Sequence, residues 1–372
     1  MQPSPSPTSR RKSEHLRIVV EEEVLHPEGT LLDGVCLMHQ ALPELDLAEI
    51  DTAVEFFGKR LRAPLLIASM SGGAAHTREL NHQLATVAER CGIAFAVGSQ
   101  RAMLEHPELH ADYAVRPSIP TGVLLGNIGA PQLPQLPTET VAGLAEAIEA
   151  DGLCVHLNPA QELVQPEGDR SFRGQLAGIG SLVERMGGRV LVKETGAGLA
   201  PESLERLRAA GVWAVDVAGR GGTSWTRVEA HRAPPGPARK LGQTLGGWGV
   251  PTAFSVVAAR RLLGEHACVI AGGGIQTGLD MARSIALGAD LCSLARPVLL
   301  AWKKGGPDAA ETFLNRLIAE LRAVLLLTGC RDLASLRRAP RVMRGELLAW
   351  LSAYGWIDHV SGAATEPSTS AP

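Results

Sequence analysis

The run Val155-His156-Leu157-Asn158-Pro159-Ala160-Gln161-Glu162 turns abruptly from an apolar stem to an amide, a proline, a second amide and a carboxylate. A strand buried on both faces delivers chemistry in this way, with a greasy shaft and a polar tip. Glu162 is the best metal candidate, because one carboxylate plus waters and substrate phosphate oxygens commonly holds Mg2+. The competing role is a capping or surface glutamate. A zinc site finds no His, Cys and carboxylate cluster of suitable spacing. His156 is either a satisfied core histidine or a rim ligand to a substrate phosphate, and its place within the strand favours a polar site. Lys193 ends another apolar run, where an ammonium without a partner is costly. A salt bridge to Glu194 is awkward, since neighbouring residues of a strand face opposite ways. At a rim, Lys193 would stabilise negative charge developing on a bound group. A Schiff-base role would need a carboxylate or tyrosine relay that cannot be identified.

Ser69, Asn127 and Thr223 also stand at strand ends. Each alone is an ordinary turn or cap residue. Together with Lys193 they ring a site with donors and acceptors, as a planar heterocycle requires. Ala68-Ser69-Met70 puts small and soft side chains where a ring could stack. The turn Gly272-Gly273-Gly274-Ile275-Gln276-Thr277-Gly278 opens a helix, and Ala295-Arg296-Pro297 follows the next run. Backbone N–H groups and a helix N-terminus attract anions, and loops after the seventh and eighth strands form the recurring phosphate site of parallel barrels. No GxxxxGK[ST] occurs, which disfavours a P-loop nucleotide site.

Eight short runs rich in Val, Ile, Leu, Ala or Cys supply these tips, at 64–69, 93–98, 122–127, 152–157, 189–194, 212–217, 267–272 and 290–295. They lack strict alternation, as strands buried on both faces do. Helical patterns lie between them at Glu79–Cys91, Thr138–Ala150, Pro201–Ala210, Pro251–Leu263 and Gly278–Leu287. Pro201 and Pro251 sit at first helical positions. The expectation is an α/β protein, a (β/α)8 TIM barrel whose polar tips converge on one rim. An open doubly wound sheet would carry a phosphate fingerprint after its first strand, and none is there. Residues 11–60 precede the first strand and could cap the barrel. The long stretch 219–249, after the sixth strand, reads as a lid that orders on ligand binding.

One domain over 11–360 fits a barrel of this length, although 372 residues could hold two. Residues 1–10 and 361–372 are Pro/Ser-rich and are expected to be disordered tails. The net charge of -3 and the absence of a basic stripe with aromatics argue against a nucleic-acid surface. No CxxC pair exists among the six cysteines, which read as reduced core residues of a cytoplasmic protein. No apolar leader and no run of 18 apolar residues is present, so neither secretion nor a membrane span is expected.

In combination, these residues resemble the type 2, FMN-dependent isopentenyl-diphosphate isomerases. The likeness runs from Arg11 to about residue 330. Its motifs are Arg11-Lys12-Ser13-Glu14-His15, Ala68-Ser69-Met70-Ser71-Gly72-Gly73, Gly98-Ser99-Gln100-Arg101, Asn127-Ile128-Gly129-Ala130, His156 to Glu162, Lys193-Glu194-Thr195-Gly196, Gly219 to Trp225 and the triple-glycine turn. The resemblance implies interconversion of isopentenyl and dimethylallyl diphosphate, with reduced FMN carrying the proton, NADPH reducing the flavin and Mg2+ binding the diphosphate. It implies FMN contacts from Ala68, Ser69, Met70, Ser99, Asn127, Lys193, Thr223, Gly272, Gly273, Gly274, Ala295 and Arg296. Substrate contacts would come from Arg11, Lys12, His15, Ser99, Gln100, Arg101, His156, Asn158 and Gln161, with the metal on Glu162. Lys193, Gln161 and His156 would serve catalysis. A homo-oligomer, tetramer or octamer, is also implied, with no nucleic-acid or membrane partner.

Three positions depart from the family pattern: Glu14 replaces Asp, Ser71 replaces Thr and Gln276 replaces Arg. The first two keep the functional group; the third removes a positive charge near the phosphate site and could weaken FMN binding. An FMN α-hydroxy acid oxidase on a similar barrel is the main rival. It would need a histidine base near the end of the sixth or seventh strand, and Ala218-Gly219-Arg220-Gly221-Gly222 offers none. An inactive flavin-binding barrel is the non-enzyme alternative.

Overall fold

The computed structural model describes residues 7–70 and 77–357. Eight parallel strands close a barrel in sequence order. They are β1 (Leu65–Ile67), β2 (Ala94–Ala96), β3 (Leu124–Gly129), β4 (Gly152–Leu157), β5 (Val190–Glu194), β6 (Ala214–Asp216), β7 (Cys268–Ala271) and β8 (Leu291–Leu294). β8 returns to β1 with Cys292 opposite Leu65. Seven strands lie inside the expected runs; β3 starts two residues later and reaches two further, to Gly129.

Side chains of each strand alternate between two separate apolar clusters, as a period of two requires. Leu65, Ile67, Phe95, Val155, Val192 and Val215 face the surrounding helices. Leu66, Ala94, Ala96, Leu125, Cys154 and Leu191 fill the barrel interior. Each strand is therefore apolar on both faces, which is why its sequence shows no alternation of polarity. The helices follow the expected order: Thr77–Cys91, Thr138–Ala147, Pro201–Ala209, Thr252–Leu263 and Gly278–Ala286. The first buries Leu80, Leu84, Val87 and Ala88 on one stripe, and Gly92 at φ 66° breaks it. Pro201 occupies the first turn, whereas Pro251 stands one residue outside its helix as the N-cap.

The segment before β1 splits between the two ends of the barrel. An antiparallel hairpin, Val54–Phe56 with Lys59–Leu61, plugs the floor, and Phe56 and Leu61 join the interior cluster. The helix Pro7–Glu21 lies at the opposite end. It begins inside the stretch expected to be a tail, so residues 7–10 are helical. Ile18 and Val19 explain this, because both are buried in the main core, and tertiary packing overrides the Pro/Ser composition next to them. Residues 1–6 and the tail 361–372 lie outside the described residues, as do Ser71, Gly72 and Gly73.

The stretch 219–249 is not an irregular loop. It folds into the helices Trp225–Arg232 and Pro237–Thr244. Ser224 N–H donates to Val24 O (2.7 Å), His26 N–H to Gly222 O (2.9 Å) and Arg227 Nη1 to Leu25 O (2.6 Å). All six cysteines are free, and five are buried. Among the described residues, no helix is long and apolar enough to cross a membrane.

Candidate active site

A cavity of about 480 Å³ opens at the C-terminal ends of the strands, the end at which parallel barrels carry their sites. Its volume is in the range of small-molecule and cofactor pockets. The period of two brings a polar layer onto its floor. Two residues beyond the interior positions Leu125, Cys154, Leu191, Ala214 and Leu291 come Asn127, His156, Lys193, Asp216 and Ser293, and all five line the cavity. His156, Lys193 and Asp216 are successive register partners on β4, β5 and β6.

Lys193 Nζ donates to the main-chain oxygen of Glu194 (2.6 Å). Glu194 itself turns to the other face, where its carboxylate accepts the N–H groups of Thr195 (2.6 Å), Gly196 (2.6 Å) and Ala197. The side-chain pairing that alternation disfavoured is absent here. His156 Nδ1 lies 3.0 Å from Asn127 Oδ1. Burial, reinforced by Lys193 and Lys12, holds its ring down to about 3, so His156 meets a ligand as neutral imidazole, able to hydrogen-bond a phosphate oxygen but not to neutralise it. Asp216 and Ser293 were not anticipated. They share the parity of Lys193 along their strands, and that was the available signal.

The glycine turns form the next wall. A Cβ on Gly222 would stand 2.6 Å from Gly274 N, and one on Gly274 would stand 2.6 Å from Gly221 O. Only glycine permits this approach, and it leaves Gly222, Gly273 and Gly274 bare toward the cavity. Gly272 is a correction. It is not on the cavity wall; a Cβ there would collide with Asp216 and Ser293, so it serves as space for that pair. The helix opened by Gly278 also differs from expectation. Its first N–H groups are already taken, those of Gln276 and Thr277 by Asp280 (3.2 and 3.0 Å) and that of Gly278 by Glu320 (2.7 Å). The helix beginning at Arg296 is the one whose start faces the cavity, with Ala295, Arg296 and Pro297 on the wall. Arg296 Nε is anchored on Val19 O (2.8 Å).

Arg11, Lys12 and His15 reach the cavity from the first helix, joined by Arg101 and Ser99 after β2. Lys12 donates to Ser99 O (3.1 Å) and Tyr113 Oη (3.3 Å). Burial, with help from Arg11, lowers it to about 7. Gln100 is the second correction. It is fully buried behind the wall, donating to Leu144 O (2.8 Å) and accepting from Asn127 N–H (3.0 Å). It positions Asn127 and does not contact the cavity. At a strand-to-helix turn successive side chains diverge, so its motif neighbours reach the cavity and it does not.

Glu229 was hidden in the supposed lid. It has no exposed surface, lies 2.8 Å from His15 Nε2, and receives Gln161 Nε2 (3.0 Å) and Arg232 Nε (2.8 Å). The Gln165 amide, with its nitrogen on Glu229 Oε1 (3.1 Å), accepts from Arg11 Nη1 (3.0 Å). These donors outweigh the opposing effect of burial and hold the carboxyl down to about 2. One buried anion thus orients His15 and Gln161, and through Gln165 it steadies Arg11.

The donor set fits the expected ligands. Glycine backbone, Ser69, Met70, Asn127, Lys193 and Thr223 suit a flavin edge and face, and Asn158 Oδ1 is buried without a partner. Glu162 lines the cavity and accepts from Asn158 Nδ2 (2.8 Å) and Asp169 N–H (2.7 Å). No group of three or more His, Cys, Asp or Glu able to hold a metal exists among the described residues. A lone carboxylate matches Mg2+ that takes its other ligands from phosphate and water.

Residues 135–342 match the family model described as FMN-dependent dehydrogenase. Among solved structures, a mandelate oxidase variant carrying a monooxide FMN adduct superposes with a TM-score of 0.60 at 17% identity, over 92% of this chain and 94% of that one. That likeness is one of fold. Far closer in sequence is the isopentenyl-diphosphate delta-isomerase of Halobacterium salinarum, 44% identical over 91% of this chain and 94% of the relative. The enzyme of the same name from Methanosarcina barkeri is 41% identical over 94% and 96%. That of a Synechococcus strain is 45% identical over 90% and 96%. Identity at this level over nearly the whole length, on a flavin-dehydrogenase barrel, means that the chain belongs to the flavin-dependent isopentenyl-diphosphate delta-isomerase family.

Proposed function

We propose that this protein interconverts isopentenyl diphosphate and dimethylallyl diphosphate in the cytoplasm, using FMN, NADPH and Mg2+. One observation carries this: a single cavity joins a glycine-walled slot floored by Lys193 to a mouth lined by Arg11, Lys12 and Arg101. Bound reduced FMN supplies the proton exchange that shifts the double bond, and NADPH supplies the reduction. The chain's own residues bind and orient. Lys193, 8% exposed on the floor, offers a fixed cation to a negatively charged ring edge. Gly273, Gly274 and the start of the helix at Arg296 offer N–H groups to the cofactor phosphate.

Arg11, Lys12 and Arg101 neutralise the diphosphate, and Arg11 and Arg101 present planar forks to its oxygens. Glu162 holds Mg2+ against the same group. His156 and Asn158 hydrogen-bond it without adding charge. Gln161, aimed by Glu229, orients the substrate. Anchoring the charged end leaves the C5 alkene against the apolar part of the pocket, so that orientation replaces a random encounter. The protein thus supplies position and electrostatics, and the cofactor the difficult chemistry. Assembly as a homo-oligomer, tetramer or octamer, belongs to the same proposal and is read from the solution mass.

The test is anaerobic incubation with isopentenyl diphosphate, FMN, NADPH and Mg2+. Dimethylallyl diphosphate forms, with less than one NADPH consumed per turnover. No isomer, or robust peroxide from a hydroxy acid, would overturn the proposal.

A further inference from the structure

The polar floor contains one ionisable group that the proposed chemistry leaves unused. Asp216 is completely buried and yet lines the cavity. Three strands build its seat. Ser293 Oγ on β8 donates to it (2.7 Å), and Gly272 beyond β7 leaves the space it occupies. Ala218, two residues beyond it, adopts φ 35° and so brings its N–H to Oδ1 (3.0 Å). A positive φ at alanine is a costly backbone state that persists only where the surroundings enforce it. On β5, Lys193 is its register partner, so the two side chains rise into the barrel from adjacent strands about 5 Å apart. The other ionisable groups near Lys193 are Cys154 and His156 on β4 and Glu194 on its own strand. Burial raises Cys154 and keeps His156 neutral, and Glu194 points away into three backbone N–H groups.

We infer that Asp216 is the counter-charge of Lys193, a positioning residue that tempers the cation's pull on the flavin. This rests on FMN occupying the cavity above Lys193. A bare lysine in a low-dielectric floor would strongly favour anionic flavin forms. A flavin that must gain and release a proton needs a weaker pull, so that protonated and anionic forms stay close in free energy. An ionised Asp216 offsets the single positive charge of Lys193 without altering the groove that ring and substrate share. Burial leaves its carboxyl raised above the ordinary aspartate value, with Lys193 and the Ser293 and Ala218 donors working against this. The register-partner cation and these two donors are what favour the carboxylate form.

Sulfite is the probe, because its covalent N5 adduct with oxidised flavin is anionic and reports positive charge near the ring. The FMN-loaded protein is titrated with sulfite by absorbance. Asp216→Asn is nearly isosteric and is expected to tighten sulfite binding tenfold or more, matched by a rise of about 30 mV in the two-electron midpoint. Ser293→Ala, which removes one donor and leaves the carboxylate in place, moves both readings the same way by less. In a Lys193→Ala background, Asp216 has no cation to sustain its charge, and Asp216→Asn changes neither reading. FMN bound normally with unchanged sulfite affinity in both Asp216→Asn and Ser293→Ala would overturn the counter-charge role alone. An equal effect in the Lys193→Ala background would also overturn it, showing action independent of lysine. Should the protein take up no FMN at all, the cofactor assignment falls, and this inference with it.

Discussion

Replacing Glu229 with Gln removes one charge and almost no volume from a fully buried anion beside the cavity. Its carboxyl titrates near 4.3 in an unfolded chain and is held to about 2 here. The direction follows from linkage: a depressed acid stabilises the fold above its unfolded value, and that stability is lost as pH falls toward the folded one. At about 1.4 kcal/mol per unit, the charge contributes about 3 kcal/mol at neutral pH and about half of that at pH 3. Urea unfolding of wild type and Glu229→Gln at pH 7 should therefore differ by about 3 kcal/mol, and the gap should narrow steadily below pH 4.5. At pH 7 the variant's kcat/KM should also drop at least tenfold, since His15 and Gln161 lose the anion that orients them. A constant stability gap from pH 7 to pH 3, or a gap below 1 kcal/mol throughout, would refute the assignment of Glu229 as the charged hub.

Other consequences follow from single contacts. Glu162→Gln should lower activity in a way that excess Mg2+ partly relieves; unchanged activity with unchanged Mg2+ dependence removes Glu162 from the metal site. With Lys12 held to about 7, kcat/KM should decline as pH rises through about 7 while Lys12 sheds its proton. Lys12→Arg stays charged and should abolish that limb, and its persistence in the variant would assign it elsewhere. Gly222→Ala drives a methyl to within 2.6 Å of Gly274 N, so FMN affinity should fall at least tenfold, measured by flavin fluorescence quenching. Normal FMN affinity would show that the glycine contact does not shape the cofactor slot.

Much of the barrel was legible because strands buried on both faces leave unbroken apolar runs, and each run ended where its polar tip began. The tips His156, Asn158, Glu162 and Lys193 reach the cavity as their placement at strand ends implied. Side-chain direction at a turn was not legible. Ser99 and Arg101 reach the cavity while Gln100 between them turns into the wall, and motif adjacency cannot separate them. Asp216 and Ser293 could have been found by counting in twos from Ala214 and Leu291, the parity that places Lys193 two beyond Leu191. Glu229 gave no such sign, because two of its partners, Gln161 and His15, come from distant parts of the chain. The floor hairpin escaped notice for a related reason: Phe56 and Leu61 are ordinary apolar residues until the interior cluster they complete is assembled. The two short helices within 219–249 were not legible either, since that stretch of 31 residues shows no regular periodicity.

In the proposed function one cavity seats both the flavin and the diphosphate. A crystal structure of the protein with reduced FMN, Mg2+ and isopentenyl diphosphate tests it most directly. The expected complex has the flavin ring over Lys193 with its phosphate at Gly273, Gly274 and Arg296, and the diphosphate between Arg11, Lys12, Arg101 and a metal on Glu162. Flavin and diphosphate bound in separate places, or a diphosphate remote from Glu162 and Lys12, would contradict it.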